Sequence, residues 1–147
     1  MMKKLALLFL CTLTLISCNV DDDGPSIVYE AAEVIDADLP EAFENGKTYE
    51  IEVTYRLPSA CHDPAGIEVT REGTTGEKRR NIYVVGVGSR DANLTNCTDE
   101  ATNLEHTTSF YITIDEAEPY TFNLWIGKNV DDENQYTTIT VPVEEGI

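Results

Sequence analysis

Between Thr48 and Leu57 the chain alternates almost without fault. Tyr49, Ile51, Val53, Tyr55 and Leu57 are apolar, and Glu50, Glu52, Thr54 and Arg56 separate them. A period of two puts one set on each face of an extended strand, so this segment must lie with one side in a core and the other in water. No helix accommodates it. Asn45-Gly46 gives a turn before it and Pro58 ends it. The same alternation recurs along the chain. In Ile67–Glu72, Ile67 and Val69 point inward. In Ser109–Ile114 the inward residues are Phe110, Ile112 and Ile114. In Tyr120–Ile126 they are Tyr120, Phe122, Leu124 and Ile126, and in Tyr136–Val143 they are Ile139, Val141 and Val143. Asn81–Val87 is nearly all apolar and reads as a strand covered on both faces, and Ile27–Ile35 is a weaker first strand. Gly73-Thr74-Thr75-Gly76 is expected to be a hairpin loop. About seven short strands with turn chemistry between them predict an all-β, antiparallel two-sheet sandwich; a jelly roll or a β-barrel is the alternative.

The N-terminus is of another kind. Lys3 and Lys4 precede an apolar run from Leu5 to Ile16 of about 12 residues, which suits the core of a signal peptide and is too short to span a bilayer. The run ends in Leu15-Ile16-Ser17-Cys18, which resembles the lipobox of bacterial lipoproteins. The resemblance implies a diacylglyceryl thioether on Cys18, cleavage before it, and acylation of the new amino terminus. Asn19-Val20-Asp21-Asp22-Asp23 follows, and this acidic tether is similar to the export signal of Bacteroidetes-type lipoproteins. What it implies is an outer-membrane protein, anchored by its lipid (palmitate and related chains) and facing the cell exterior. The expected organisation is a signal peptide over 1–17, a lipidated tether over 18–26 and one β-sandwich domain over 27–147. A tether of roughly ten residues has a mean reach of about 15–20 Å, so the domain sits close to the membrane.

A second resemblance lies in Phe110-Tyr111-Ile112-Thr113-Ile114-Asp115-Glu116-Ala117-Glu118-Pro119-Tyr120-Thr121-Phe122, which looks like the E-strand, corner and F-strand of immunoglobulin-like domains. It implies an immunoglobulin-like sandwich in which Tyr120 is the structural corner, its hydroxyl bonding back to the chain upstream. The chain departs from antibody domains in two ways. Cys61 and Cys97 lie outside strand centres, and Trp125 lies on the F-strand rather than the C-strand.

Charge narrows the function. The formal net charge is −17; loss of Lys3 and Lys4 from the 10 basic residues leaves 8 against 27 acidic ones. Such a charge argues against binding nucleic acid and against lying flat on anionic lipid. Cys11 leaves with the signal and Cys18 carries lipid, so Cys61 and Cys97 remain as an even pair, expected to form a disulfide in an oxidising compartment. His62 and Asp63 next to Cys61 raise the thought of a metal, but adjacent residues rarely converge on one ion, and no metal is expected.

Trp125 is the leading candidate binding residue, because alternation turns it away from the Tyr120/Phe122/Leu124/Ile126 face; Tyr83 and Tyr111 are candidates for the same reason. Cross-strand packing on a covered face is the competing explanation. Asp131-Asp132-Glu133-Asn134 offers oxygen ligands of the kind calcium takes, but lacks the spacing and glycine of a calcium loop, so a solvated turn is expected there and at Asp99-Glu100. Lys78-Arg79-Arg80 is the basic cluster, expected to pair with Glu68, Glu72 or Glu77 or else to meet an anionic surface. His62 and His106 are the two histidines, and no G-x-S-x-G or zinc motif accompanies them. No enzyme and no cofactor are expected. The expected role is a binding or accessory module of the cell envelope, tied to the membrane through Cys18 and engaging a glycan or an envelope protein; a structural subunit of an envelope complex is the alternative.

Replacing Cys18 by Ala is expected to abolish incorporation of radiolabelled palmitate and to move the protein from the detergent phase to the aqueous phase of a Triton X-114 partition. Unchanged partitioning would rule out Cys18 as the anchor.

Overall fold

The computed structural model describes residues 24–98 and 102–145. The lipidation residue Cys18, the acidic stretch Asp21–Asp23 and the pair Asp99-Glu100 lie outside the described residues. The elements are β1 (Ile27–Ala37), β2 (Phe43–Glu44), β3 (Thr48–Arg56), β4 (Asp63–Arg71), α1 (Gly76–Arg80), β5 (Asn81–Asp91), β6 (Glu105–Thr113), β7 (Tyr120–Lys128), β8 (Asn134–Val141) and β9 (Val143–Glu144).

β1 belongs to both layers. Its first half, Ile27 to Ala32, pairs antiparallel with β5. Its second half, Glu33 to Ala37, pairs antiparallel with β3, with a register shift between Val34 and Asp36. One layer is therefore β6-β3-β1 and the other contains β4, β5, β7 and β8 with the start of β1. The inward residues of the two layers meet in one core. Val34, Ile51, Val53, Ile112 and Ile114 come from the first layer, and Ile82, Val84, Phe122, Leu124 and Val141 from the second. Phe43 on β2 closes one end, edge-on to Tyr49 at 4.8 Å and to Tyr120 at 6.0 Å. β2 is held there by pairing with β9.

The fold is an all-β sandwich, but its pairing is mixed rather than wholly antiparallel. β5 runs parallel to β7, and β2 parallel to β9. The reason is topological. After β5 the chain crosses to β6 in the other layer and returns as β7, so β5 and β7 point the same way. Alternation reports which face of a strand is buried and carries no information on its neighbour. This parallel pair also departs from the antiparallel immunoglobulin pattern. At the corner, the Asp115 amide donates to the Tyr120 hydroxyl at 3.3 Å, and that hydroxyl donates to Asp115 Oδ1 at 3.1 Å. Tyr120 is fully buried.

The expected hairpin connection between β4 and β5 is present, and it is lengthened by a one-turn helix, α1, that starts at Gly76; one local reading changes. Ile126, expected to point inward, is 41% exposed. A bulge between Trp125 and Gly127 interrupts the register with β8, and Gly127 takes φ +124°, so the alternation resets one residue early.

On β5, Asn81–Val84 pairs with β7 and Gly86–Asp91 with β1. Gly86 stands beside this handover, closely packed against Ala32 of β1 and Tyr55 of β3. A Cβ there would lie 2.7 Å from the Ala32 carbonyl oxygen and 2.7 Å from Tyr55 Cβ. Both neighbours are fixed, one by the β1–β5 ladder and the other by burial. Gly86→Ala is expected to cost about 1–3 kcal/mol in a denaturant titration; an unchanged midpoint would show that the layers can part there.

Candidate functional site

Trp125 lies on β7 opposite Tyr136 of β8. Its indole Nε1 donates to Asn134 Oδ1 at 3.0 Å, which fixes the ring at the strand's edge. The side chain is half-buried and lines a cleft of about 430 Å³ together with Ala31, Glu33, Arg56, Leu57, Pro58, Leu104, Ile126 and Gly127. A second depression of about 590 Å³ is lined by Arg56, Thr102, Asn103, Leu104, Glu105 and His106. The two share Arg56 and Leu104 in their linings and so adjoin there; together they are called the trough.

Local sequence builds each wall. Leu57 and Leu104 are buried and bonded to each other through the Leu57 amide and the Leu104 carbonyl at 2.8 Å, which gives an apolar floor. Alternation places the indole on the outer side of β7, and the bulge between Trp125 and Gly127 turns Ile126 out beside it. Arg56, the last residue of β3, sits opposite Glu33 on β1 and opposite Glu105 on β6. Arg71, Arg79, Arg80 and Arg90 all donate to protein acceptors. Arg56 alone of the arginines has no such partner among the described residues.

The other aromatic candidates do not join this site. Tyr83 is half-buried on the outer face of β5 and packs edge-on against Tyr136, with centroids 5.3 Å apart. Its surroundings are those of cross-strand packing. Tyr111 is 70% exposed on β6, in the other layer. The Glu50 carboxylate opposite it raises the Tyr111 hydroxyl pKa above its usual value. The sequence singles out Trp125 but not Arg56 and Leu104, which line the same cleft, because nothing in the chain links the end of β3 to β7 before the sheets are paired.

Cys61 and Cys97 form a disulfide with Cα atoms 5.4 Å apart. It joins two loops separated by 36 positions and contributes about 4 kcal/mol in the chain-entropy picture. Beside it lies a hydrogen-bonded row that the sequence did not suggest. Ser59 Oγ meets His62 Nδ1 at 2.8 Å, and His62 Nε2 meets Glu30 Oε2 at 2.8 Å. Arg90 then binds Glu30 Oε1 at 2.8 Å through one guanidinium nitrogen and at 3.0 Å through Nε. Arg90 first, and His62 second, hold the Glu30 carboxyl below its usual pKa. A neutral His62 satisfies both neighbours by donating Nε2–H to Glu30 and accepting the Ser59 hydroxyl at Nδ1. Ser59 and His62 are buried, and Ser59 Oγ also accepts the Cys61 amide at 3.3 Å. The row pins the disulfide loop onto β1 and β5.

The acidic loop before β8 is organised by Asn129, whose Oδ1 accepts the amides of Asp131 and Glu133. Asp132 pairs with Lys128, and Glu133 accepts from the Asn129 side chain. These carboxylates are turned to separate partners, and among the described residues no group of three or more His, Cys, Asp or Glu side chains gathers to hold a metal.

The basic cluster pairs elsewhere than expected. Arg79 binds Asp115, and Glu116 at 3.1 Å; Arg80 binds Glu116 and donates to the Pro119 carbonyl. The helical turn α1 aims both guanidinium groups at the β6–β7 corner instead of across the β4–β5 hairpin. Asp115 is held below its usual pKa chiefly by Arg79 and also by Tyr120, and Glu116 by Arg80 and then Arg79.

Depressed folded-state values mean that the clamp's contribution is complete above the ordinary carboxylate range of about 4. It is lost as the pH falls through the still lower folded values. The thermal midpoint is therefore expected to fall between about pH 5 and pH 2, and to fall less steeply in the Asp115→Asn, Glu116→Gln double variant. Equal slopes would remove the clamp from the acid response. Comparison with known proteins finds no match: no family model fits the chain, and no curated protein or solved structure is significantly similar to it.

Proposed function

We propose that this chain is a non-catalytic binding or accessory module of the cell envelope, lipid-anchored through Cys18 and displayed on the outer face of the outer membrane. The Leu15-Ile16-Ser17-Cys18 lipobox and the Asp21-Asp22-Asp23 tether support the anchoring and the export. The observation that carries the binding role is the trough itself. A fixed indole stands at one end, buried leucines lie beneath, and Arg56, which has no partner among the described residues, lines both depressions. Surface arginines in this anionic domain otherwise have acceptors, so an uncommitted one in a concavity suits a ligand. The row of Ser59, His62 and Glu30 is read as structural, since its serine is buried and already accepts a backbone amide.

A second reading, as a structural subunit of an envelope complex, is favoured by Ile27 and Tyr29, which are 48% and 70% exposed at the start of β1. Exposed apolar residues next to the tether are suited to docking on a membrane-proximal partner.

Placement is tested by labelling intact cells with a membrane-impermeant amine reagent, with lysed cells as control. Lys47, Lys78 and Lys128 are exposed targets in the mature domain. Labelling of intact cells is the expected result. Labelling only after lysis would place the domain in the periplasm and make the envelope-complex reading the leading one.

A further inference from the structure

Resting on the reading of the trough as a ligand site, we propose that it binds a neutral, linear oligosaccharide, with Trp125 as the platform for one ring and Arg56, between Glu33 and Glu105, as the group that reads hydroxyls. Four observations converge on this chemistry.

The first is shape. The two depressions adjoin at Arg56 and Leu104, and each is open to solvent rather than enclosed. Sites for compact small molecules enclose most of the ligand. Two adjoining open depressions suit successive units of a chain better than one enclosed molecule.

The second is the apolar part. A pyranose ring has a C–H face and a polar rim. It needs a flat apolar surface under the ring and polar groups around the edge. Trp125 supplies the surface, and its Nε1 bond to Asn134 fixes the indole before any ligand arrives, so little rotamer freedom is lost on binding. Leu57 and Leu104 continue the apolar floor.

The third is the polar part. Each sugar hydroxyl both donates and accepts. Arg56 is a donor without acceptors, and its directly opposite neighbours on both sides, Glu33 and Glu105, are acceptors without donors. In this register, three cross-strand neighbours alternate acceptor, donor, acceptor. Arg56 stands opposite two carboxylates and forms an ion pair with neither among the described residues. Its planar fork remains free to span two adjacent hydroxyls.

The fourth is charge. One arginine between two carboxylates gives the trough no positive excess, in a protein of net charge −17. Sulfated, phosphorylated or uronic chains are repelled from it. An apolar peptide would strip water from Arg56, Glu33 and Glu105 without replacing their hydrogen bonds. A neutral polyol does replace them.

Trp125 is the one tryptophan of the sequence, so the emission of the whole lipoprotein reports on this site alone. The detergent-solubilised full mature chain is titrated with four neutral probes (maltohexaose, cellohexaose, xylohexaose and mannohexaose), with hexagalacturonate, and with a random hexapeptide pool. A saturable change in Trp125 emission with at least one neutral probe is expected. It should be insensitive to salt, and weakened at least about tenfold by Arg56→Ala, the scale of a lost charge-assisted hydrogen bond. The Arg56→Ala protein should keep the wild-type thermal midpoint, since that side chain is exposed and has no partner among the described residues. A response confined to hexagalacturonate or to the peptide pool overturns the neutral-sugar assignment and leaves the trough as a binding site. No response to any probe, with acrylamide quenching of Trp125 unchanged throughout, overturns both.

Discussion

β1 is hydrogen-bonded to β5 through its first half and to β3 through its second, and the two layers of the sandwich hang from that shared strand. A strand can change layers only where the layers approach closely enough for one backbone to serve both. Gly86 and Gly88 on the inner face of β5 create that approach, because side chains there would strike Ala32, Tyr55, Leu57 or His62. The missing side chain at Gly86 leaves room at this end of the interior for the buried Tyr55 ring. The core divides into a main cluster around Phe43 and Phe122 and a smaller one of Ala32, Tyr55, Leu57 and Leu104.

Two members of that smaller cluster, Leu57 and Leu104, also line the trough. Where β1 leaves β5 for β3, β7 no longer has β5 beside its second half, and the bulge at Trp125–Gly127 lies in that stretch. The cleft is a consequence of one strand changing sheets. It is bounded by Ala31 and Glu33 on β1, by the end of β3, and by the rim that the bulge on β7 presents. The disulfide and the Ser59–His62–Glu30–Arg90 row fasten the loop after β3 to β1 and β5. The position of Pro58 and Leu57 in the wall is thereby held by covalent and buried polar contacts rather than by the main core.

Electrostatics follow a similar division of labour. Most cations of this strongly acidic domain are committed locally, Arg79 and Arg80 to the corner that carries Tyr120, Arg90 to Glu30, and Lys47 and Lys128 to acidic residues three and four positions away. Exposed pairs of this sort contribute little each. The clamp at the corner matters more, since Asp115 serves both Arg79 and the buried Tyr120 hydroxyl and so couples α1 to the main core.

The strand faces were legible in the chain. Alternation from Thr48 to Leu57 and from Tyr120 to Leu124 places every inward residue correctly, because burial of one face is a local property of a period-two segment. The corner role of Tyr120 and the pairing of Cys61 with Cys97 were legible for similar reasons, one from a short motif and the other from an even count of thiols. Ile126 was misread, because a bulge depends on Gly127 and on the partner strand. The parallel β5–β7 pair, the α1 clamp onto Asp115 and Glu116, and the hand-over of β1 between layers were decided by tertiary structure alone. So was the trough, which gathers residues from β1, β3, β7 and the loop before β6. Which strands become neighbours, and where two layers part, depends on contacts between segments far apart in sequence, and no local pattern of apolar and polar residues encodes them.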